Sequence, residues 1–201
     1  MVTRTRRDAF RSDPRLTTGE NAHCADYAGS GYARGHTVPN ADMGRTKTAQ
    51  ANTYFLTNMS PQANNLNSGP WLWLERAVRD YAKQYGQVYV ISGSIFDEPV
   101  PTVPSDRVGI PSRYYKILVR TETNGEPVAL ALILSNQDER IVSAARQPDD
   151  NRPNVRPSDR ILEAHLVSIR GIERLTGLDL LPQLDRVTLK EAVAPELWPR
   201  N

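Results

Sequence analysis

Gly31-Tyr32-Ala33-Arg34-Gly35-His36-Thr37-Val38-Pro39 sets an arginine, a histidine and two glycines just ahead of a proline. Pro39 biases Val38 away from helical backbone, so Tyr32 to Val38 reads as a short extended segment. Downstream, the apolar and aromatic run Tyr54-Phe55-Leu56-Thr57 reads as a buried strand, and Asn58 falls at its end, where functional side chains emerge. The polar cluster Thr57-Asn58-Met59-Ser60-Pro61-Gln62 leads into an Asn-rich stretch between Ser60 and Gly69 that reads as a loop bounded by Pro61 and Pro70. From Trp71 to Tyr85, the residues Trp71, Leu74, Val78, Tyr81 and Tyr85 recur three and four apart, which predicts a helix with one buried stripe. Pro70 suits its first turn and Gly86 its stop. Glu75 lies beside the stripe near the helix start, able to point toward whatever the stripe packs on.

Working outward, residues 1–30 have little periodicity and carry turn chemistry at Asp13-Pro14, Thr17-Thr18-Gly19 and Ala28-Gly29-Ser30-Gly31, so they read as an irregular arm. Val88 to Gly93, Tyr114 to Val119 and Val128 to Ser135 are strands by β-branched content, with Asn124-Gly125 as a hairpin-type turn between the last two. The proline-rich stretches 96–113 and 147–160 read as surface loops. A final helix runs from about Ser168, a natural N-cap, to Thr176, with Gly177 as its stop. The expected fold is α+β: one domain over residues 1–201, with a mainly antiparallel central sheet flanked by helices.

The apolar fraction of 39% and charged fraction of 24% are those of a chain that folds. A net charge of only +2 announces no polyanion partner by itself; the densest basic run is Arg4, Arg6, Arg7, Arg11 and Arg15, which reads equally as a solvated terminus or a phosphate contact. The single cysteine, Cys24, excludes an internal disulfide and a Cys-based zinc cluster. No apolar run is long enough to span a membrane, and Met1-Val2-Thr3-Arg4 lacks the apolar core of a secretory signal. The expectation carried forward is a secreted or periplasmic protein whose leader has been removed, with an organellar or intracellular one as the alternative.

The chemistry narrows by elimination. A helix-borne zinc protease site needs two histidines on one helical face, and Ser30 lacks the strand-to-helix elbow of a Ser-His-Asp hydrolase. What remains is a histidine with carboxamide and carboxylate oxygens. Histidine titrates near neutrality and can take a proton from water, while Asn and Glu oxygens suit Mg²⁺, which keeps most of its waters. A base beside a hydrated metal is the minimum equipment for phosphodiester hydrolysis.

The segments DYAGSGYARGHTVPNADM, TYFLTNMSPQANNLNSGPWLWLE and VYVISG resemble the DNA/RNA non-specific endonucleases, the ββα-metal (His-Me finger) nucleases that include endonuclease G. The resemblance rests on Arg-Gly-His-x-x-Pro, Asn-Met-x-Pro-Gln and Asn-x-x-x-Trp elements followed by a helix Glu. It extends more weakly to RRDAFRSDPRL and IERLTGLDLLP. It implies a ββα unit over roughly residues 32–85 that holds a Mg²⁺ site, with Mn²⁺ as a substitute. His36 would be the general base, Asn67 the direct metal ligand, and Glu75 the carboxylate that holds the metal's waters. Arg34 would neutralise the phosphate, with Arg7 or Arg6 as a second contact, and Asn58 would position the site. The implied reaction is cleavage of DNA and RNA to 5′-phosphate ends, with no membrane partner and with room for a protein inhibitor or a homodimer.

One residue departs from the pattern. The family usually has Asp, and sometimes Ser, where this chain has Ala33, which bears on rate and geometry more than on reaction type. The rival readings are a nucleic-acid-binding module that lost turnover with Ala33, a toxin domain silenced by an inhibitor, and a phosphodiesterase for small substrates. For the rest, His23 and His165 read as surface or core residues and Trp71 and Trp73 as packing groups, and the alternative to a metal-site role for Glu75 is an i+4 ion pair with Arg79.

Overall fold

The computed structural model describes residues 9–137, 155–184 and 187–200. Its centre is a four-stranded antiparallel sheet of β3 (Tyr89–Ile95), β4 (Arg113–Thr121), β5 (Pro127–Ser135) and β6 (Leu166–Val167), in that order. β4 and β5 form a hairpin with Thr121 opposite Pro127, and Gly125 supplies the positive φ of +83° that the turn requires. Both faces of β4 are buried, because helices cover the sheet on each side. Tyr114 and Leu118, with Leu130, Leu132 and Leu134 of β5, face α3 (Pro70–Tyr85), which buries Trp71, Leu74, Ala77, Val78 and Tyr81 against them. The alternate residues Tyr115, Ile117, Val119 and Ala131 face α5 (Ile169–Thr176) through Ile169 and Ile172.

The helix ends follow the expected chemistry. α3 begins at Pro70 and stops at Gly86, whose φ is +83°. α5 is capped by the Ser168 hydroxyl, which accepts from the Gly171 N–H at 3.0 Å, and it ends on left-handed Gly177. It is not the last helix, since α6 (Val187–Glu191) follows. Lys190 fixes α6 by donating to Glu173 at 3.0 Å and Asp179 at 3.1 Å. α4 (Pro157–Glu163) starts inside the 147–160 stretch expected to be a loop, with Pro157 in its first turn; residues 147–154 of that stretch lie outside the described ones. The long 96–112 loop is exposed as expected, but it drives Val103 fully into the interior.

The larger correction concerns the strand before the Asn-rich stretch. Tyr54-Phe55-Leu56-Thr57 is not a strand of the fold: Leu56–Asn58 is a 3-10 turn, and the strand β2 is Met59–Gln62, paired with β1 (Ala33–His36). The aromatic residues are used elsewhere. Tyr54 packs on the His36 ring, and Phe55 lies under the Arg11 guanidinium at 4.2 Å. β2 is instead fixed by its own polar atoms, since the Pro61 carbonyl accepts from Tyr114 Oη at 2.8 Å and from Asn136 Nδ2 at 2.9 Å. After it comes a short helix, α2 (Asn64–Ser68), rather than a loop. Gly69 breaks it from α3, because a Cβ there would fall inside the Asn65 carbonyl. A further short helix, α1 (Lys47–Asn52), lies between β1 and β2. Among the described residues no helix is long and apolar enough to cross a membrane.

Candidate active site

β1 and β2 pair in register Ala33↔Gln62, Arg34↔Pro61, Gly35↔Ser60 and His36↔Met59. The pairing is close because Gly35 has no side chain: a Cβ there would overlap the buried Gln62 side chain. Just beyond β1 the chain is clamped by Asn58. Its Oδ1 accepts from Val38 N–H at 2.9 Å, and its Nδ2 donates to the Val38 carbonyl at 2.9 Å and the Thr53 carbonyl at 3.0 Å. The Asn58 main-chain carbonyl adds a bond from Thr37 N–H at 3.0 Å. Asn58 therefore sits ahead of β2, not at a strand end, and its carboxamide is committed to the backbone that follows His36. The imidazole lies between two rings, 5.6 Å from Tyr54 in an edge contact and 6.0 Å from Phe10. Arg34 rests its guanidinium on Phe10 at 4.7 Å, and among the described residues it forms no salt bridge.

The second half of the site comes from α2 and α3. Asn136 accepts from Ala63 N–H at 2.7 Å and so fixes the residue that precedes α2. Asn67 donates its N–H to the Ala63 carbonyl at 2.9 Å, and its half-buried side chain takes no hydrogen bond from the described residues. Asn64 Nδ2 donates to the Gly31 carbonyl at 2.9 Å, which ties the helix to the approach of β1. Four residues after Asn67, the Trp71 indole N–H donates to the His36 carbonyl at 3.3 Å. Glu75 follows Trp71 by one turn of α3. Burial pushes Glu75 up to about 7, against the fields of Lys116 and Arg79, which hold it down. The alternative i+4 pair with Arg79 is not formed; Arg79 bonds Asp42 at 2.9 Å instead.

The structure thus ties the His36 backbone to α3 through Trp71 and the Val38 backbone to Asn58, sets Arg34 two residues before His36, and places Asn67 one turn before Trp71 and Glu75 one turn after it. Arg7 and Arg6 lie outside the described residues. Among the described residues no three His, Cys, Asp or Glu side chains gather as a metal-binding cluster. The donor set here, one carboxamide and one half-buried carboxylate, fits a hard cation that keeps most of its water shell and does not fit a closed zinc site.

Sequence reading missed several groups in this frame: Phe10 and Tyr54 as walls for the imidazole, Asn136 as the anchor of α2, the Asp42–Arg79 pair, and Lys116. Burial lowers Lys116 to about 8, with Glu75 and Asp42 holding it up. Its signal was available as a lone charge inside the apolar run Tyr114-Tyr115-Lys116-Ile117-Leu118-Val119.

Comparison with known proteins agrees with this geometry. The chain is 31% identical to the mitochondrial nuclease EXOG of Xenopus laevis over 88% of this chain and 48% of that protein. It is 30% identical to nuclease C1 of Cunninghamella echinulata var. echinulata over 92% and 71%, respectively. It spans about half the length of the EXOG relative. Its fold matches that in the crystal structure of the EndoG/EndoGI complex with a TM-score of 0.73 at 23% identity, over 90% of this chain and 71% of that one. The sequence model of the DNA/RNA non-specific endonucleases matches residues 1–187, which include both strands and both helices of the site. With the strands β1 and β2 and the helices α2 and α3 all inside the matched residues, this chain belongs to the DNA/RNA non-specific endonuclease family.

Proposed function

We propose that the chain is a Mg²⁺-dependent, sugar-nonspecific endonuclease that leaves 5′-phosphate ends, with Mn²⁺ as a substitute ion. The observation that carries this reading is the Trp71 indole of α3, which donates to the main-chain carbonyl of His36 one helical turn before Glu75 and so ties the strand of the base to the helix of the carboxylate. His36 takes the proton of a water as its oxygen bonds to phosphorus in line; the bond from phosphorus to the 3′ oxygen then breaks, so the phosphate stays on the 5′ side. Arg34 meets the charge that grows on the phosphoryl oxygens. Asn67 would hold the ion directly and Glu75 would hold it through water. When bound, the ion stabilises negative charge on the phosphoryl and leaving oxygens. Asn58 acts by fixing Val38 and thereby His36. These groups address the backbone and not base edges, so sequence selectivity is weak.

Plasmid DNA and total RNA, each incubated with Mg²⁺ and then with EDTA, test the reading. Both are degraded with Mg²⁺, the fragments ligate without prior phosphorylation, and EDTA stops the reaction. His36→Ala lowers the rate by about 10²–10⁴-fold. A folded sample without metal-dependent cleavage overturns the proposal.

Ala33 favours a second reading, a binding module without turnover. In that case nucleic acid is bound with strong salt dependence and no product, and Ala33→Asp restores cleavage. The structural neighbour was solved with an inhibitor, and a protein inhibitor is the partner proposed for this chain by analogy.

A further inference from the structure

Lys116 is a cation placed in the interior of the sheet, only 1% exposed, on the β4 face that packs against α3. Its ammonium donates to Ser92 Oγ on the paired strand at 2.6 Å and lies 4.4 Å from the centre of the Trp71 indole. Both partners are neutral. A hydroxyl and an indole face leave most of a buried ammonium's charge uncompensated. The acids whose fields reach it are Glu75 first and Asp42 second. Asp42 is already bonded to Arg79 at 2.9 Å, whereas Lys116 forms no salt bridge among the described residues. Glu75, in turn, is faced by Lys116, Arg79, Asp42 and Trp71. Lys116 and Glu75 are therefore the two charges of this region left to balance each other, with Trp71 against Lys116 and one turn of α3 before Glu75.

We infer that Lys116 is a positioning residue of the nuclease site: from beneath Trp71 it supplies the positive charge that holds the indole and the Glu75 carboxylate in the arrangement that metal binding needs. The inference rests on the reading of Glu75 given above. Lys116 touches neither substrate nor metal; it acts through the two groups that do the holding.

Lys116→Met tests it, since it keeps chain length and apolar packing while removing the charge. The variant is expected to keep the far-UV spectrum of the parent. Its kcat on plasmid DNA falls about 30-fold with KM for DNA within about twofold, the pattern of a lost transition-state contribution. Without nucleic acid, Mn²⁺ affinity, read from the free-ion EPR signal, falls about tenfold, as expected where an outer partner of a metal site is lost. The pair Glu75→Gln and Lys116→Met is non-additive: the double variant is no slower than Glu75→Gln alone. Multiplying effects, or a Lys116→Met protein with unchanged Mn²⁺ affinity and kcat, overturn the inference and leave Lys116 as core filling. Where Lys116→Met fails to fold, Ser92→Ala replaces it, removing the 2.6 Å contact. A fall in Mn²⁺ affinity supports the inference and no change overturns it. Wild-type cleavage by Glu75→Gln itself would overturn the functional reading as well, which separates the two failures.

Discussion

Glu75 is where burial and chemistry conflict most sharply. Burial lifts its carboxyl from 4.5 to about 7, so across that interval the folded, metal-free chain holds a proton that the unfolded chain has released. The stability owed to this residue therefore falls as pH rises from 4.5 to 7 and levels off above that. Glu75→Gln removes the slope. The stability of wild type relative to Glu75→Gln is expected to decline by on the order of 2 kcal/mol over this interval, measured by urea unfolding in EDTA. Parallel pH profiles for the two proteins would show a solvated carboxyl. In the role proposed for Glu75 the ionised form holds a metal's waters, so cleavage by the wild type should rise with pH through the same window.

At the scale of elements, α2 is set in place by a residue from another part of the chain. Asn136 bonds Ala63 N–H, the Pro61 carbonyl and the Pro111 carbonyl at 2.7 to 2.9 Å, and it is buried. Asn136→Ala leaves the Ala63 N–H and the Pro111 carbonyl without this partner, at a cost of about 2–3 kcal/mol. A Tm lowered by roughly 5–10 °C follows for a chain of this size. Mn²⁺ affinity should fall with it, because Asn67 takes its place from Ala63; a lower Tm with unchanged affinity would show that α2 holds itself. The same dependence explains what the sequence displayed and what it hid. α3 and α5 were legible because their apolar period and end residues are local facts, and β3, β4 and β5 because β-branched runs are. β2 was not: Met59-Ser60-Pro61-Gln62 has a proline and two polar residues, and all four are buried only because Tyr114 and Asn136 reach them from the distant sheet. The neighbouring aromatic run was the stronger strand signal and the wrong one. Among the proposed site residues, His36, Arg34, Glu75 and Asn67 come from sequence motifs, whereas Lys116 and Asn136 come into view only through packing partners that the fold supplies.

For the whole molecule, the two faces of the sheet divide the work. One carries α3 and the site; the other closes on α5 and, through Glu173 and Lys190, on α6. The far end of α3 is clasped by the C-terminal segment. Trp198 lies 5.2 Å from Tyr81 and 6.1 Å from Tyr85, and the Arg120 guanidinium stands over both Tyr85 and Trp198. Arg200 closes the clasp onto Asp80 and Asp159. Trp198→Ala is expected to cost about 2–4 kcal/mol through lost packing and lost cation contact. Tyr85 and Glu75 are about 15 Å apart along the helix axis, so cleavage at 25 °C should persist; unfolding and activity assays on one preparation check both. Loss of cleavage in a folded variant would show that the clasp sets the pitch of α3 at the site.

The pairing of β1 with β2 alone has a consequence in time. β4 is bonded on both sides and buried on both faces, whereas β1 has one partner strand and is mostly half-buried. Segments with fewer buried contacts open at lower free energy than the core does. The amide protons of Arg34 to His36 should therefore exchange with deuterium well before those of Ile117 and Leu118. On heating, the site would come apart in advance of the sheet, so loss of cleavage would precede loss of the fold.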